Sequence, residues 1–168
     1  KELERFVIEL SWKSSKIEGN TYTLFDTEKL IKEGISTPGH SKDEEKMILN
    51  HKNAFKFILE NKEKFRTINK ANLEDVHKIL VEDLNVNVGF RSKPVGVTGS
   101  TYRPLDNVYQ VSEAVESLCG SVSKITNPHE KALIFHLGIS YVQPFEDGNK
   151  RTARLVTNAI LLANDCAP

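Results

Sequence analysis

A chain of 168 residues with 39% hydrophobic content carries enough apolar material for one buried core. Its 23 basic and 23 acidic residues cancel to zero net charge and form no basic stripe, which argues against direct nucleic-acid contact. The two cysteines, Cys119 and Cys166, exclude a disulfide framework or a zinc site and fit a reducing, cytoplasmic setting.

In chain order, Leu3, Phe6, Val7, Leu10, Ser14 and Ile17 recur at helical spacing and predict an amphipathic helix that stops near Gly19. Taken alone, Ser14 and Glu18 read as solvated residues on its last turn. Glu18 is awkward there, because a carboxylate at a helix C-terminus opposes the dipole. Asp26 can cap a short helix over residues 25–31, and Pro38-Gly39 marks a turn. Lys42 to Phe65 predicts a long helix with Met47, Ile48, Ala54, Phe55, Ile58 and Leu59 on its apolar face. Asn72 to Leu84 predicts another, carrying Leu73, Val76, Ile79, Leu80 and Leu84 inward and His77 as a packed, hydrogen-bonded histidine.

Val86 to Leu105 loses the helical period. Val95, Gly96, Val97 and Thr98, then Gly99-Ser100, then Thr101 and Tyr102 read as a small β-hairpin. Two strands alone are marginal unless packed on helices. Val108 to Val122 is the next helix, with Val111, Ala114, Val115, Leu118 and Cys119 inward, and Asn127-Pro128 starts the one after it. None of His40, His51, His77, His129 and His136 falls in a metal-ligand spacing. No apolar run reaches membrane-spanning length, and no signal peptide is legible.

Phe135 to Leu162 organises the rest, reading as helix, tight loop, helix. The first helix is almost wholly apolar, so burial on most sides is expected, and Pro144 ends it. The loop and the turn after it hold Gln143, Glu146, Asp147, Gly148, Asn149, Lys150, Arg151 and Arg154. A glycine-containing loop feeding a helix N-terminus gathers backbone N–H groups and the positive end of the dipole at one spot. With three basic side chains added, a phosphate is the natural guest, and Asp147 offers a hard oxygen to Mg²⁺.

Gln143-Pro-Phe-Glu-Asp-Gly-Asn-Lys-Arg-Thr-Ala-Arg154 closely resembles the Fic-domain signature H-P-F-x-[DE]-G-N-[GK]-R-x-x-R. One position departs: Gln143 stands where the family has its catalytic histidine. The resemblance covers essentially the whole chain and implies a single, mainly all-α Fic domain over 1–168, with seven or eight helices around the central helix-loop-helix and one hairpin flap. It implies transfer of AMP from ATP to a Ser, Thr or Tyr hydroxyl of a target protein. Gly148, Asn149, Lys150, Arg151 and Arg154 would hold phosphates and Asp147 would hold Mg²⁺. Residues 95–102 would form the flap that takes the target backbone as an added strand. Gly89-Phe-Arg91 resembles, loosely, the family's lead-in to that flap. His136 matches a histidine usual in the family and reads as structural.

The same resemblance recasts the first helix. Ser14, Glu18 and Gly19 match the family's inhibitory motif [ST]-x-x-x-E-[GN], whose glutamate pairs with the second signature arginine, here Arg154, in place of the ATP γ-phosphate. Residues of about 1–19 are therefore expected to be an inhibitory helix. Glutamine only donates and accepts hydrogen bonds, so Gln143 cannot serve as a base, and impaired transfer is expected. Two alternatives stand beside this: a non-catalytic nucleotide-binding regulator, and a phosphotransferase like the Doc-type toxins, which carry lysine at the position of Lys150. A purely structural helical module is the third. A homo-oligomer is compatible with all of them. The chain starts at Lys1 and stops just past a helix, so a fragment of a longer protein is expected.

Overall fold

A computed structural model describes residues 1–97 and 99–168. Among the described residues seven α-helices follow in order: α1 (Glu2–Ile17), α2 (Leu24–Glu33), α3 (Lys42–Glu60), α4 (Lys70–Leu80), α5 (Val108–Ser123), α6 (Pro128–Val142) and α7 (Asn149–Ala163). A short 3₁₀ helix, Lys62–Arg66, joins α3 to α4. Local chemistry sets most of the starts. Ser41 with Glu44 and Asn69 with Asn72 form reciprocal capping boxes at α3 and α4. Thr23, Asn107 and Asn127 cap α2, α5 and α6 through side-chain oxygens, and Pro128 occupies the first turn of α6. Thr23, not Asp26, is the cap of α2: Asp26 lies inside the first turn and donates its backbone N–H to Thr23.

The antiparallel α6 and α7 pack on each other at the centre, with α3, α4 and the 3₁₀ turn against α7 and α5 against α6. Phe55, Phe65, Leu73, Phe135, Phe145 and Leu155 are fully buried in the main cluster. Gly138 lets α5 and α6 approach closely, since a Cβ there would collide with the side chain of Leu118. No helix is long and apolar enough to cross a membrane among the described residues.

Several expectations change. The β-hairpin over Val95–Tyr102 is not formed: no strand occurs among the described residues, and Thr98 lies outside them. The Ser100 N–H instead donates to the Val97 carbonyl at 3.0 Å. A lone two-strand ribbon interrupted by Gly96 and Gly99 has little to hold it. Tyr102 instead stacks on Tyr141 of α6, with ring centroids 4.5 Å apart.

Helix α6 is also less covered than its apolar sequence suggests. Leu133, Ile134, Leu137 and Tyr141 stay 44–64% exposed, because α5 and α7 cover only its other faces. Helix α3 ends at Glu60, and Phe65 is buried from the 3₁₀ turn. Helix α4 ends at Leu80, and Asp83 and Asn85 carry the chain past Leu84 with left-handed backbone. On α1 the buried set is Ile8, Ser11, Ser14 and Ser15, while Leu3 and Ile17 face outward.

Candidate active site between the last two helices

Helix α6 ends where Gln143 takes a left-handed conformation (φ 50°, ψ 59°) and Pro144 blocks continuation. Five residues later, Gly148 (φ 79°) starts α7 as an N-cap without a side chain. No cap oxygen therefore competes for the first N–H groups of α7, and they remain available to a ligand.

The loop between is held from inside. Phe145 is its anchor, stacked on the His77 ring at 3.7 Å and nearly parallel, with Phe90 edge-on at 5.5 Å. Asn149 clamps the loop: its Oδ1 accepts from the Phe145 N–H and its Nδ2 donates to the Phe145 carbonyl, both at 2.8 Å. His77 Nε2 lies 2.9 Å from the Asp147 carbonyl. A carbonyl only accepts, so the proton sits on Nε2. Burial pushes His77 down to about 4, so the ring is neutral near pH 7.

Charge is concentrated on the α7 side. Arg151 is buried and donates Nη2 to Asp147 Oδ2 at 2.7 Å, while its Nε and Nη1 have no partner. Arg154 reaches across to α1. Its Nε donates to Ser14 Oγ at 3.0 Å, and its Nη2 donates to the Ser14 carbonyl at 3.1 Å and to Glu18 Oε1 at 2.9 Å. Behind this contact His51 lies fully buried, with Nδ1 3.2 Å from Ser11 Oγ. Burial, then the nearby Arg154 and Arg151 charges, push His51 down to about 3. His136 contacts Thr157 Oγ1 at 3.3 Å, bridging α6 and α7.

A hollow of about 140 Å³ lies over the loop, lined by Glu18, Gln143, Asp147, Gly148, Asn149 and Lys150, with Val95, Gly96 and Val97 along its rim. Of the residues expected to act together, the hollow gathers Glu18, Val95 to Val97, Gln143, Asp147, Gly148, Asn149 and Lys150. Ser14, Arg151 and Arg154 lie outside its lining, as do Gly19 (φ 93°) at the end of α1 and Gly99 to Tyr102. Gln143 turns its amide back on its own helix, where Nε2 donates to the Ser140 carbonyl at 2.7 Å. Among the described residues, no group of three or more His, Cys, Asp or Glu could hold a metal. Asp147, with Glu146 and Glu18, presents a carboxylate to the hollow, and a single such hard oxygen donor beside the α7 N-terminus suits Mg²⁺, which keeps most of its ligands as phosphate oxygens and water.

Two residues matter more than sequence reasoning allowed. His77 fixes the loop by stacking and by its hydrogen bond, and the buried Arg91 bonds the carbonyls at the end of α6. The loose Gly89-Phe-Arg91 resemblance is the single sequence signal for the second.

The Fic/DOC family model matches residues 43–161. Protein adenylyltransferase Fic of Nematostella vectensis is 32% identical over 153 residues, covering 89% of this chain and 36% of that protein. Protein adenylyltransferase fic-1 of Caenorhabditis elegans is 28% identical over 158 residues, covering 90% of this chain and 31% of that protein. The chain therefore spans about a third of the curated relatives it matches. A Fic domain containing signaling protein from Bacteroides thetaiotaomicron superposes with a TM-score of 0.84 at 25% identity, over 95% of this chain and 63% of that one. Fic-1 from C. elegans shares the fold with a TM-score of 0.80 at 24% identity, over 100% of this chain and 50% of that one. A family model that spans α3 to α7, and with them the whole loop just described, shows that this chain belongs to the Fic/DOC family.

Proposed function

We propose that this domain is an autoinhibited protein adenylyltransferase whose transfer step is impaired by glutamine at position 143. The observation that carries the reading is the pairing of Arg154 with Ser14 and Glu18, which lie 140 and 136 residues away in sequence. In this reading Glu18 takes the place of the ATP γ-phosphate, and the nucleotide cannot seat its last phosphate until Glu18 withdraws. The uncapped N–H groups of α7 suit phosphate oxygens, and the buried Arg151 holds Asp147 from below and adds positive charge to the site. Lys150 adds a cation at the rim, and Asp147 is the carboxylate that would hold Mg²⁺. When bound, Mg²⁺ would neutralise phosphate charge during transfer.

The chemistry is attack of a target Ser, Thr or Tyr oxygen on the α-phosphorus, with pyrophosphate leaving and the hydroxyl proton passing to a base. Residue 143 faces the incoming hydroxyl in this scheme, and a positioned base there is worth about 10²–10⁴-fold. Gln143 can orient a hydroxyl but cannot take its proton. The 95–102 segment would offer its backbone to the target, and pairing would come only with the target. A second reading, a nucleotide-binding regulator without catalysis, is favoured by the Gln143 amide being spent on the Ser140 carbonyl.

Titration with ATP and Mg²⁺, and labelling with α-labelled and γ-labelled ATP in parallel, tests the proposal. Binding that requires Mg²⁺, with weak α-label transfer, is the expected result. Binding without any transfer moves the domain to the regulator reading, and γ-label transfer alone moves it to phosphate transfer. No binding overturns both nucleotide readings.

A further inference from the structure

Arg91 is 4% exposed and lies beneath the exit of α6 rather than in the hollow. Its Nε donates to the Gln143 carbonyl at 2.6 Å and its Nη2 to the Val142 carbonyl at 3.4 Å. Its own backbone N–H donates to the Pro144 carbonyl at 3.0 Å. One residue thus answers three consecutive carbonyls. A helix C-terminus leaves its last carbonyls without intrahelical partners and carries the negative end of the dipole, so a guanidinium there meets both needs.

The same side chain reaches the other wall of the site. Nη1 of Arg91 donates to the Lys93 carbonyl at 3.0 Å, two residues before Val95, where the chain begins to line the hollow opposite Gln143. Gln143 is the one non-glycine residue of the loop with positive φ. Left-handed backbone costs a non-glycine residue about 1–2 kcal/mol, and it persists only where the surroundings over-determine it. The Arg91 fork supplies that constraint from below.

We propose that Arg91 is a positioning residue: it sets the backbone, and hence the side-chain direction, of residue 143 and locks it to the base of the 95–102 segment. The two walls of the hollow then move as one unit. The consequence for transfer rests on the reading of residue 143 as facing the acceptor hydroxyl; the positional claim does not.

The test compares the full chain with Arg91→Lys and Arg91→Met, isotope-labelled for NMR and hydrogen exchange, alongside chemical denaturation. Lysine keeps a charge but is a point donor without the planar fork, so it cannot serve the same carbonyls together. In Arg91→Lys, amides of residues 91–97 and 142–146 should lose about tenfold or more of their exchange protection, while α3, α4 and the second half of α7 keep theirs. The Gln143 side-chain amide should leave the Ser140 carbonyl and shift accordingly. In a Gln143→His, Glu18→Gly background, Arg91→Lys should lower kcat by about 10- to 100-fold with little change in KM for ATP.

Uniform loss of protection across the fold would make Arg91 an ordinary core residue and overturn the proposal. So would an Arg91→Lys pattern like the unmodified chain. If Arg91→Met does not fold, Arg91→Lys decides alone. Local loosening without any effect on kcat would uphold the positional claim and count against the role given to residue 143.

Discussion

Releasing Glu18 should sharpen ATP binding and leave AMP nearly untouched. In the resting structure Arg154 donates Nη2 to Glu18 Oε1 at 2.9 Å, and the two side chains are 19% and 23% exposed. A hydrogen bond to a charged group is worth about 1.5–3 kcal/mol. Partial exposure screens this pair, so about 1–2 kcal/mol is a fair value here. In the proposed reading ATP must break that contact before Arg154 can meet its γ-phosphate, whereas AMP has no phosphate to place there. At about 1.4 kcal/mol per decade, Glu18→Gly should tighten Mg·ATP binding by about five- to thirtyfold. AMP affinity should change by less than about twofold. Isothermal titration of both proteins with both nucleotides reads this directly. The same ATP affinity in the two proteins, or an equal gain for AMP, would refute the assignment of Glu18 to the γ-phosphate position.

Other expectations follow from the packing. His77 at about 4 and His51 at about 3 both lie below the ordinary histidine value, so the folded chain binds fewer protons than the unfolded one as pH falls from about 6.5. Their contribution is fully present above about pH 6.5 and is lost toward pH 4, at up to about 1.4 kcal/mol per pH unit for each. Urea denaturation across that range should show the slope. His77→Gln, which can still donate to the Asp147 carbonyl, should remove about one proton's worth of it; an unaltered slope would mean His77 charges freely when folded. Gly138→Ala, forced against Leu118, should destabilise the α5–α6 packing by about 1–3 kcal/mol in thermal or urea unfolding. An unchanged midpoint would show that Leu118 can move aside.

What could be read from sequence was whatever local chemistry encodes. Asn127-Pro128 and the almost wholly apolar run from Ala132 marked α6, and Pro144 its end; the second helix was expected from Arg151 and begins two residues earlier, at Asn149. The pairing of Glu18 with Arg154 was legible only by resemblance, because no local rule links residues 136 positions apart. Arg91 was flagged only by the loose Gly89-Phe-Arg91 resemblance, and its role was not, because its partners at the end of α6 are backbone carbonyls, which leave no pattern in side-chain type or spacing. The stacking of His77 on Phe145 is likewise a tertiary contact between an α4 face and a loop. The hairpin failed in the opposite direction. Valine and threonine signalled strand, but a sequence signal cannot supply the neighbouring sheet that a strand needs. The apolar composition of α6 misled in the same way, since composition alone does not say which faces find a neighbour.

The central claim is that this site is built for AMP transfer and lacks its base. Transfer of α-labelled ATP by Glu18→Gly, with and without Gln143→His, tests it most directly. The account predicts very weak labelling with Gln143 and a rise of about 10²–10⁴-fold with histidine. Strong α-label incorporation with Gln143 in place would contradict it by showing that another group takes the proton, and no gain from histidine would show that the site does not transfer AMP.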